Sequence, residues 1–311
     1  MGAPSILAIA GPTASGKTGA AIELAQRLGG ELVGCDSVQV YRGFDIGSAK
    51  PTASELGSVR HHLLDVIDAD EELDAARYAA LADRAIDDIA ARGRLPIVVG
   101  GTGLWMRALL RGLVDLPAPD PEIRARFEAE ADRIGAPALH ARLASIDPRA
   151  AAAIHPNDRL RIVRALEVHA QTGEPLGELQ ARHALGAPRY RALVVVLDRE
   201  RDTLYDAVKV RIHDMLARGW VDEVRGLLER WGPAVRPLGS VGYREVVQHI
   251  VEGASLAETE RLAYKSTRIY TRRQRTWWGS ERVDLGTSAD TLLAPEGMEV
   301  VERFLAPTTP P

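Results

Sequence analysis

One cysteine in 311 residues leaves nothing for an internal disulfide, and Cys35 alone cannot furnish a zinc site. Beside Val33 and Gly34 it reads as a small buried residue. Apolar runs are short too: none approaches the roughly 20 residues that a helix needs to cross a bilayer. The chain enters a strand-like segment almost at once, without the basic, apolar and cleavage-site series of a secretory leader, so a cytoplasmic protein without membrane contact is expected. Internal repeats are lacking. A formal net charge of −4 gives no overall pull toward nucleic acid, which leaves any such partner to the local distribution of charge. With 46% hydrophobic and 26% charged residues the composition is ordinary for a globular protein, long enough for one large domain or for a core carrying an inserted module.

What the chain does have starts at its first apolar run. Ile6–Ala10 leads directly into Gly11, Pro12, Thr13, Ala14, Ser15, Gly16, Lys17 and Thr18, the eight-position pattern of a phosphate-binding loop, and a helix-like stretch from Gly19 to Leu28 follows. The glycines let backbone N–H groups turn inward around phosphate oxygens, while the next helix presents its positive end. Lys17 adds a point charge, and the Thr18 hydroxyl is placed to ligate Mg²⁺. Such a loop specifies a polyphosphate. A nucleoside triphosphate is the default occupant, and the rest of the chain has to decide.

Strand-like runs at Ile6–Ala10, Glu31–Gly34, Pro96–Val99 and Ala192–Leu197 alternate with helical stretches such as Ala75–Ala91 and Leu204–Arg218. That rhythm predicts the α/β class: a phosphate-loop core with a parallel sheet flanked by helices. It fails between Leu113 and Arg191, where Pro117-Ala118-Pro119-Asp120-Pro121 opens and Gly186-Ala187-Pro188 closes a helix-type segment far longer than one crossover needs. The expected organisation is a discontinuous core of residues 1–115 and 190–306, an inserted all-helical domain at 116–189, and a disordered tail at 307–311. Ligands of open parallel sheets collect at the carboxyl ends of the strands, where three loops fall: Gly11–Thr18, Asp36–Tyr41 and Gly100-Gly101-Thr102-Gly103. Asp36 there faces a phosphate chain and is suited to ligate a metal or accept a proton.

These blocks resemble the tRNA dimethylallyltransferases, also called tRNA isopentenyltransferases. Gly11–Thr18, Asp36-Ser37-Val38-Gln39-Val40-Tyr41, Ile46-Gly47-Ser48-Ala49-Lys50-Pro51, His61-His62-Leu63-Leu64-Asp65 and Gly100–Leu104 look like signature blocks of that family. So do His155-Pro156-Asn157-Asp158 with Arg164–Val168, Val241-Gly242-Tyr243-Arg244-Glu245, and Arg273-Gln274-Arg275-Thr276-Trp277. They stand in family order from Gly11 to Trp277. Trp105, Arg60 and Ser48 depart from its usual tyrosine, proline and threonine, which touches local packing and no charged or catalytic group.

The resemblance implies transfer of the five-carbon group of dimethylallyl diphosphate to the N6 amine of the tRNA adenosine just 3′ of the anticodon, by a monomer that uses Mg²⁺. The loop Gly11–Thr18 then holds a diphosphate, with Arg211 as an additional clamp and Lys17 stabilising the charge on the departing group. By resemblance Asp36 is the general base, Thr102 contacts diphosphate and amine, and Gln39, with Ser37 and Val38, reads the adenine. The adenosine has to leave its stack to reach such a site. The tRNA anticodon stem-loop would be held by the inserted domain through Arg124 and Leu160-Arg161-Ile162-Val163-Arg164, and by Arg244, Arg268, Arg272, Arg273, Gln274 and Arg275 of the core. Arg261, Lys265, Arg268, Arg272 and Arg275 recur at steps of four and three, within roughly 80° of arc on a helix, and few acids stand among them. Trp277 and Trp278 are suited either to base stacking or to the core. Histidines 61 and 62 read as structural.

Three other functions share parts of this pattern. A small-molecule kinase would use the same loop for ATP but has no need of the insertion or the basic stripe. An isopentenyltransferase for free adenine nucleotides would use the same core. A non-catalytic RNA-binding module has no need of a phosphate loop.

Overall fold

The computed structural model describes residues 4–184 and 187–306. The expected tail at 307–311, and Gly186 of the closing Gly-Ala-Pro stretch, lie outside them. Strand β1 (Ser5–Ala10) ends in the phosphate loop, which passes into helix α1 (Lys17–Leu28). Then come β2 (Gly30–Gly34), α2 (Ala53–Ser58), β3 (His61–His62), α3 (Ala75–Ala91), β4 (Leu95–Gly100) and α4 (Gly103–Arg111). Helices α5 (Pro121–Ile134), α6 (Ala136–Ile146), α7 (Pro148–Ala153), α8 (Arg159–Thr172) and α9 (Leu176–Ala184) follow without a strand. The chain returns through β5 (Arg191–Leu197), α10 (Arg201–Ala217), α11 (Trp220–Trp231), a 3₁₀ turn at Arg236–Gly239, α12 (Tyr243–Glu252), α13 (Leu256–Ser280), β6 (Leu285–Thr287), α14 (Ala289–Leu293) and α15 (Pro295–Leu305).

The six strands form one sheet in the order β3-β2-β4-β1-β5-β6, and every pairing is parallel. Because side chains alternate along a strand, β1 feeds two cores. Ile6, Ala8 and Ala10 join one with α3, α4 and α10 to α13, whereas Leu7 and Ile9 join another with α1, α14 and α15. All five are fully buried, as expected of a central parallel strand covered on both faces. In register, Ala10 stands beside Gly100 on one side and Val196 on the other. The loops after β1, β4 and β5 therefore leave the sheet side by side.

Two compact units emerge: Met1–Leu110 with Arg189–Pro311, and Arg111–Pro188. The chain leaves and re-enters the first at adjacent points, since the Arg189 N–H donates to the Leu110 carbonyl at 3.0 Å. The Arg189 guanidinium and the neighbouring Tyr190 hydroxyl both engage Asp83 of α3, each at 2.6 Å. In the helical unit, Asp120 caps α5, with Pro121 at its first turn, and Asp158 caps α8. Phe127, Leu139, Leu143, Ile162, Val163 and Leu166 form its core.

Glu167 sits fully buried inside that unit. Arg124 reaches it at 3.1 Å, Arg164 at 3.0 Å, and the Asp120 N–H at 2.7 Å. Burial pushes the Glu167 carboxyl up, but the hydrogen bonds from Arg164, Arg124 and Asp120 outweigh it and hold it below the usual range. Removing the carboxylate leaves the Asp120 N–H without its acceptor and two partly exposed arginines without their partner, at a cost of about 1 to 3 kcal/mol. Glu167→Ala is accordingly expected to destabilise the helical unit by that amount in urea unfolding, and the wild-type advantage should disappear as pH falls below about 4.5, where the carboxylate protonates in the unfolded chain and then in the folded one. A Glu167→Ala protein as stable as wild type at pH 7 would show that the pair contributes nothing.

Candidate active site

Three loops meet at the carboxyl ends of β1, β2 and β4. Gly11 has φ 139°, and a Cβ there would lie 2.1 Å from the Leu197 carbonyl oxygen, so only glycine fits as β1 turns into the phosphate loop. Gly16 (φ 92°) ends that loop in the left-handed region as α1 begins. The Lys17 ammonium lies folded against the Pro12 carbonyl at 2.5 Å. Burial, with Arg211 as a second positive charge and Asp36 opposing, brings its pKa down from 10.5 to about 7. Ser15 is fully buried and its hydroxyl has no hydrogen-bond partner among the described residues.

Asp36 follows β2 and turns back on its own loop. Its Oδ1 accepts the N–H groups of Val38 at 2.9 Å and Gln39 at 3.3 Å. The Thr102 hydroxyl accepts the Ser37 N–H at 3.1 Å, and the Thr102 N–H donates to the Cys35 carbonyl, which joins the β2 and β4 loops. A Cβ on Gly100 would fall 2.0 Å from that same Cys35 oxygen. Burial pushes the Cys35 thiol up to about 12, so it is no nucleophile.

A cavity of about 350 Å³ opens beside Asp36. Thr13, Asp36, Ser37, Arg211, Tyr270 and Arg273 supply its polar lining; Val38, Val208, Ile212, Met215, Trp220 and Tyr243 supply apolar surface. Burial and the nearby Asp36 charge raise the Tyr270 hydroxyl well above its ordinary value, so it stays protonated. The Gly47-Ser48 wall is held by Glu223, whose carboxylate accepts the N–H groups of Asp45, Ile46 and Gly47 and the Tyr243 hydroxyl. A Cβ on Gly47 would strike the Trp220 indole at 2.0 Å. Sequence alone singles out neither Tyr270 nor Glu223 nor Arg199, whose guanidinium lies against Gly16.

Several residues expected at an RNA surface are committed elsewhere. Ile162 and Val163 are buried in the helical core, because their positions on α8 face inward, and present no side chain outward. Leu160, 74% exposed, and Arg161 lie on the outer side of that turn. Arg124 and Arg164 serve Glu167. Gln39 donates its side-chain N–H groups to the Ser48 and Ala49 carbonyls, so its donor edge braces that loop. Gln274 is buried and bonded through both ends of its amide. Arg244 is turned back on Glu245 and Ser266.

The helix expected to carry the basic stripe is α13. Arg261 pairs with Glu258 and Arg275 with Asp198 at 2.7 Å, so the stripe is less free of acids than it reads. The Arg268 guanidinium lies over the rings of Tyr205 and Tyr264, while Lys265, Arg272 and Arg273 are exposed. Trp278 is buried; Trp277 is half-buried under Arg107.

With this geometry in hand, comparison with known proteins gives a consistent answer. The family described as IPP transferase matches residues 39–281. A tRNA dimethylallyltransferase of Anaeromyxobacter sp. (strain Fw109-5) is 54% identical over 89% of this chain and 92% of its own. One from Anaeromyxobacter sp. (strain K) is 48% identical over 98% of both. Among solved structures, the tRNA isopentenylpyrophosphate transferase of Bacillus halodurans superposes with a TM-score of 0.70 at 37% identity, over 97% of this chain and 95% of the other. A eukaryotic dimethylallyltransferase acting on tRNA gives 0.73 at 27% identity, over 88% and 69%.

Lys17 offers a direct check on the electrostatics. Between about pH 7 and 10.5 the unfolded chain keeps the Lys17 proton and the folded chain does not, so this group makes stability rise with pH across that window. Urea unfolding of wild type and Lys17→Met at pH 7 and pH 9.5 is expected to show the wild type gaining relative to the variant. A difference that is flat in pH means that Lys17 keeps an ordinary affinity for its proton.

Proposed function

The chain belongs to the tRNA dimethylallyltransferase (IPP transferase) family, and from that premise we propose that it transfers the dimethylallyl group of dimethylallyl diphosphate to N6 of the tRNA adenosine adjacent to the anticodon. The observation that carries this is the cavity beside Asp36, which has the phosphate-loop residue Thr13 in its lining and a wall of Val208, Ile212, Met215 and Trp220. Such a space suits a diphosphate bearing a short branched hydrocarbon better than it suits a kinase substrate, which carries hydroxyls.

Backbone N–H groups of the Gly11–Thr18 loop, with Lys17 and Arg211, bind and neutralise the diphosphate. As the C1–O bond breaks, its electrons go to the diphosphate oxygen, where these groups stabilise the growing charge more than they did the bound donor. The amine nitrogen forms the new bond to C1, and Asp36 takes the proton it must lose. Protonated Lys17 is the form this needs, and the incoming anion favours it. Thr102 braces the Asp36 loop through Ser37. Mg²⁺ fits the residues present: the buried Ser15 hydroxyl lacks a partner among the described residues, and Thr18 brings a second hydroxyl in the first turn of α1. Thr18 would hold the ion together with donor oxygens and water, and the ion would supply further charge neutralisation. For the tRNA, the exposed Lys265, Arg272 and Arg273 on α13 supply cations for phosphates, whereas the exposed Arg161 on α8 is paired with Asp158 at 3.4 Å. The protein is expected to act as a cytoplasmic monomer.

Incubation with unmodified tRNA and labelled dimethylallyl diphosphate should give a prenylated adenosine, and Asp36→Asn should lower turnover by about 10²-fold or more with both substrates still bound. Label appearing in free adenine nucleotides instead, or ATP hydrolysis without prenylated tRNA, points to the rival enzymes. Replacement of Lys265, Arg272 and Arg273 together should lower the slope of log affinity against log salt by about 2 to 3, nearly equally for all substrate tRNAs, as titration at several salt concentrations reads. An unchanged slope moves the RNA off this face of α13.

A further inference from the structure

Gln274 joins the two halves of the active site. It lies on α13, 6% exposed, with an arginine on either side of it in sequence. Its Oε1 accepts the Thr13 N–H at 2.9 Å, inside the phosphate loop, and its Nε2 donates to the Gly101 carbonyl at 3.0 Å. Gly101 precedes Thr102, whose hydroxyl and N–H engage Ser37 and Cys35 on either side of Asp36. A single side chain thus connects the loop that cradles the donor's leaving group to the loop that carries the base. The same turn of α13 fixes how close those loops come: a Cβ on Gly101 would lie 2.4 Å from Gln274 Nε2, and one on Gly103 would lie 2.2 Å from Trp277 Nε1. Two glycines have therefore been hollowed out to admit this helix face.

We propose that Gln274 is a positioning residue for the transfer, setting the separation between the diphosphate cradle and Asp36, and that it touches neither RNA nor donor. This rests on the functional assignment above. The amide is well chosen for the task. It offers one acceptor and one donor to two backbone groups of opposite character, without adding charge beside a diphosphate. Without it the buried Gly101 carbonyl would lose this partner, and the half-buried Thr13 N–H would be left free to swing with its loop. Because a displacement of about 1 Å in a reacting pair costs roughly 10²-fold in rate, loss of the bridge should appear in turnover rather than in affinity.

Three variants test this, each assayed for tRNA prenylation beside wild type. Gln274→Met keeps the length and removes both hydrogen bonds; kcat should fall about 10- to 100-fold, with KM for each substrate within about threefold of wild type. Thr271→Val, buried one turn earlier on α13 and donating only to the Thr267 carbonyl, should lower thermal stability without lowering kcat. Gln274→Glu gives a readout that no purely structural role produces. Its protonated carboxyl reproduces the bridge, accepting from Thr13 and donating to Gly101, whereas its carboxylate repels the Gly101 carbonyl and the diphosphate. The ratio of its kcat to that of wild type should rise as pH falls from about 9 to about 6, since burial raises the acid's pKa. This pH trend is read on the glutamate variant against wild type, so it stands even if the methionine variant folds poorly. Near wild-type kcat in Gln274→Met, a rise in KM at unchanged kcat, a parallel loss in Thr271→Val, or a Gln274→Glu ratio flat in pH each overturns the positioning role alone. Wild type that leaves tRNA unprenylated overturns the functional assignment and this role with it.

Discussion

Close backbone approach at the carboxyl edge of the sheet is the constraint on which the rest depends. The turn after β4 runs against Cys35 at a distance that admits no Cβ on Gly100, and the phosphate loop starts against Leu197 on the same terms at Gly11. Parallel strands in the register Ala10 to Gly100 and Ala10 to Val196 deliver those backbones side by side, so N–H groups rather than side chains form the floor. An anion binds best to such a floor, because the donors are fixed before it arrives.

Charge is then added sparingly and under control. Asp36 acts on both Lys17 and Arg211, and Arg211 acts on Lys17, but burial dominates the shifts of both cations. An arriving anion offsets that burial and draws the proton back onto Lys17, so binding restores the second positive charge. Elsewhere a half-buried carboxylate is satisfied from several sides, as Glu223 is by three backbone N–H groups and Tyr243. That carboxylate is part of the frame and shapes the wall at Gly47 and Ser48.

Local chemistry was legible in the sequence, and distant partnership was not. The four long strands and the glycine-lysine loop announce themselves, because alternation, β-branching and turn residues act between near neighbours. Strands β3 and β6, of two and three residues, are too short to carry a pattern, and pairing with β2 and β5 alone defines them. Helical spacing placed Arg268, Arg272 and Arg275 on one arc of α13, yet gave no sign that Asp198 or Tyr205 would approach from other elements. Nothing in the sequence around Glu167 shows that Arg124 will reach it from α5. Gln274 lies 261 residues from Thr13, and nothing in its own neighbourhood distinguishes a bridge between loops from an RNA contact.

The junction at Leu110 and Arg189 bears on how such a chain came to hold a second unit. Where the chain leaves the core and where it comes back are one hydrogen bond apart, so the whole of Arg111–Pro188 is, to the sheet, a single closed loop. Closing a loop costs entropy that grows only with the logarithm of its length, so a long excursion burdens the core little more than a short turn would. The excursion has its own capped helices and its own buried centre. The strands on either side of it, β4 and β5, are both paired with β1, so their register is set by pairings inside the core.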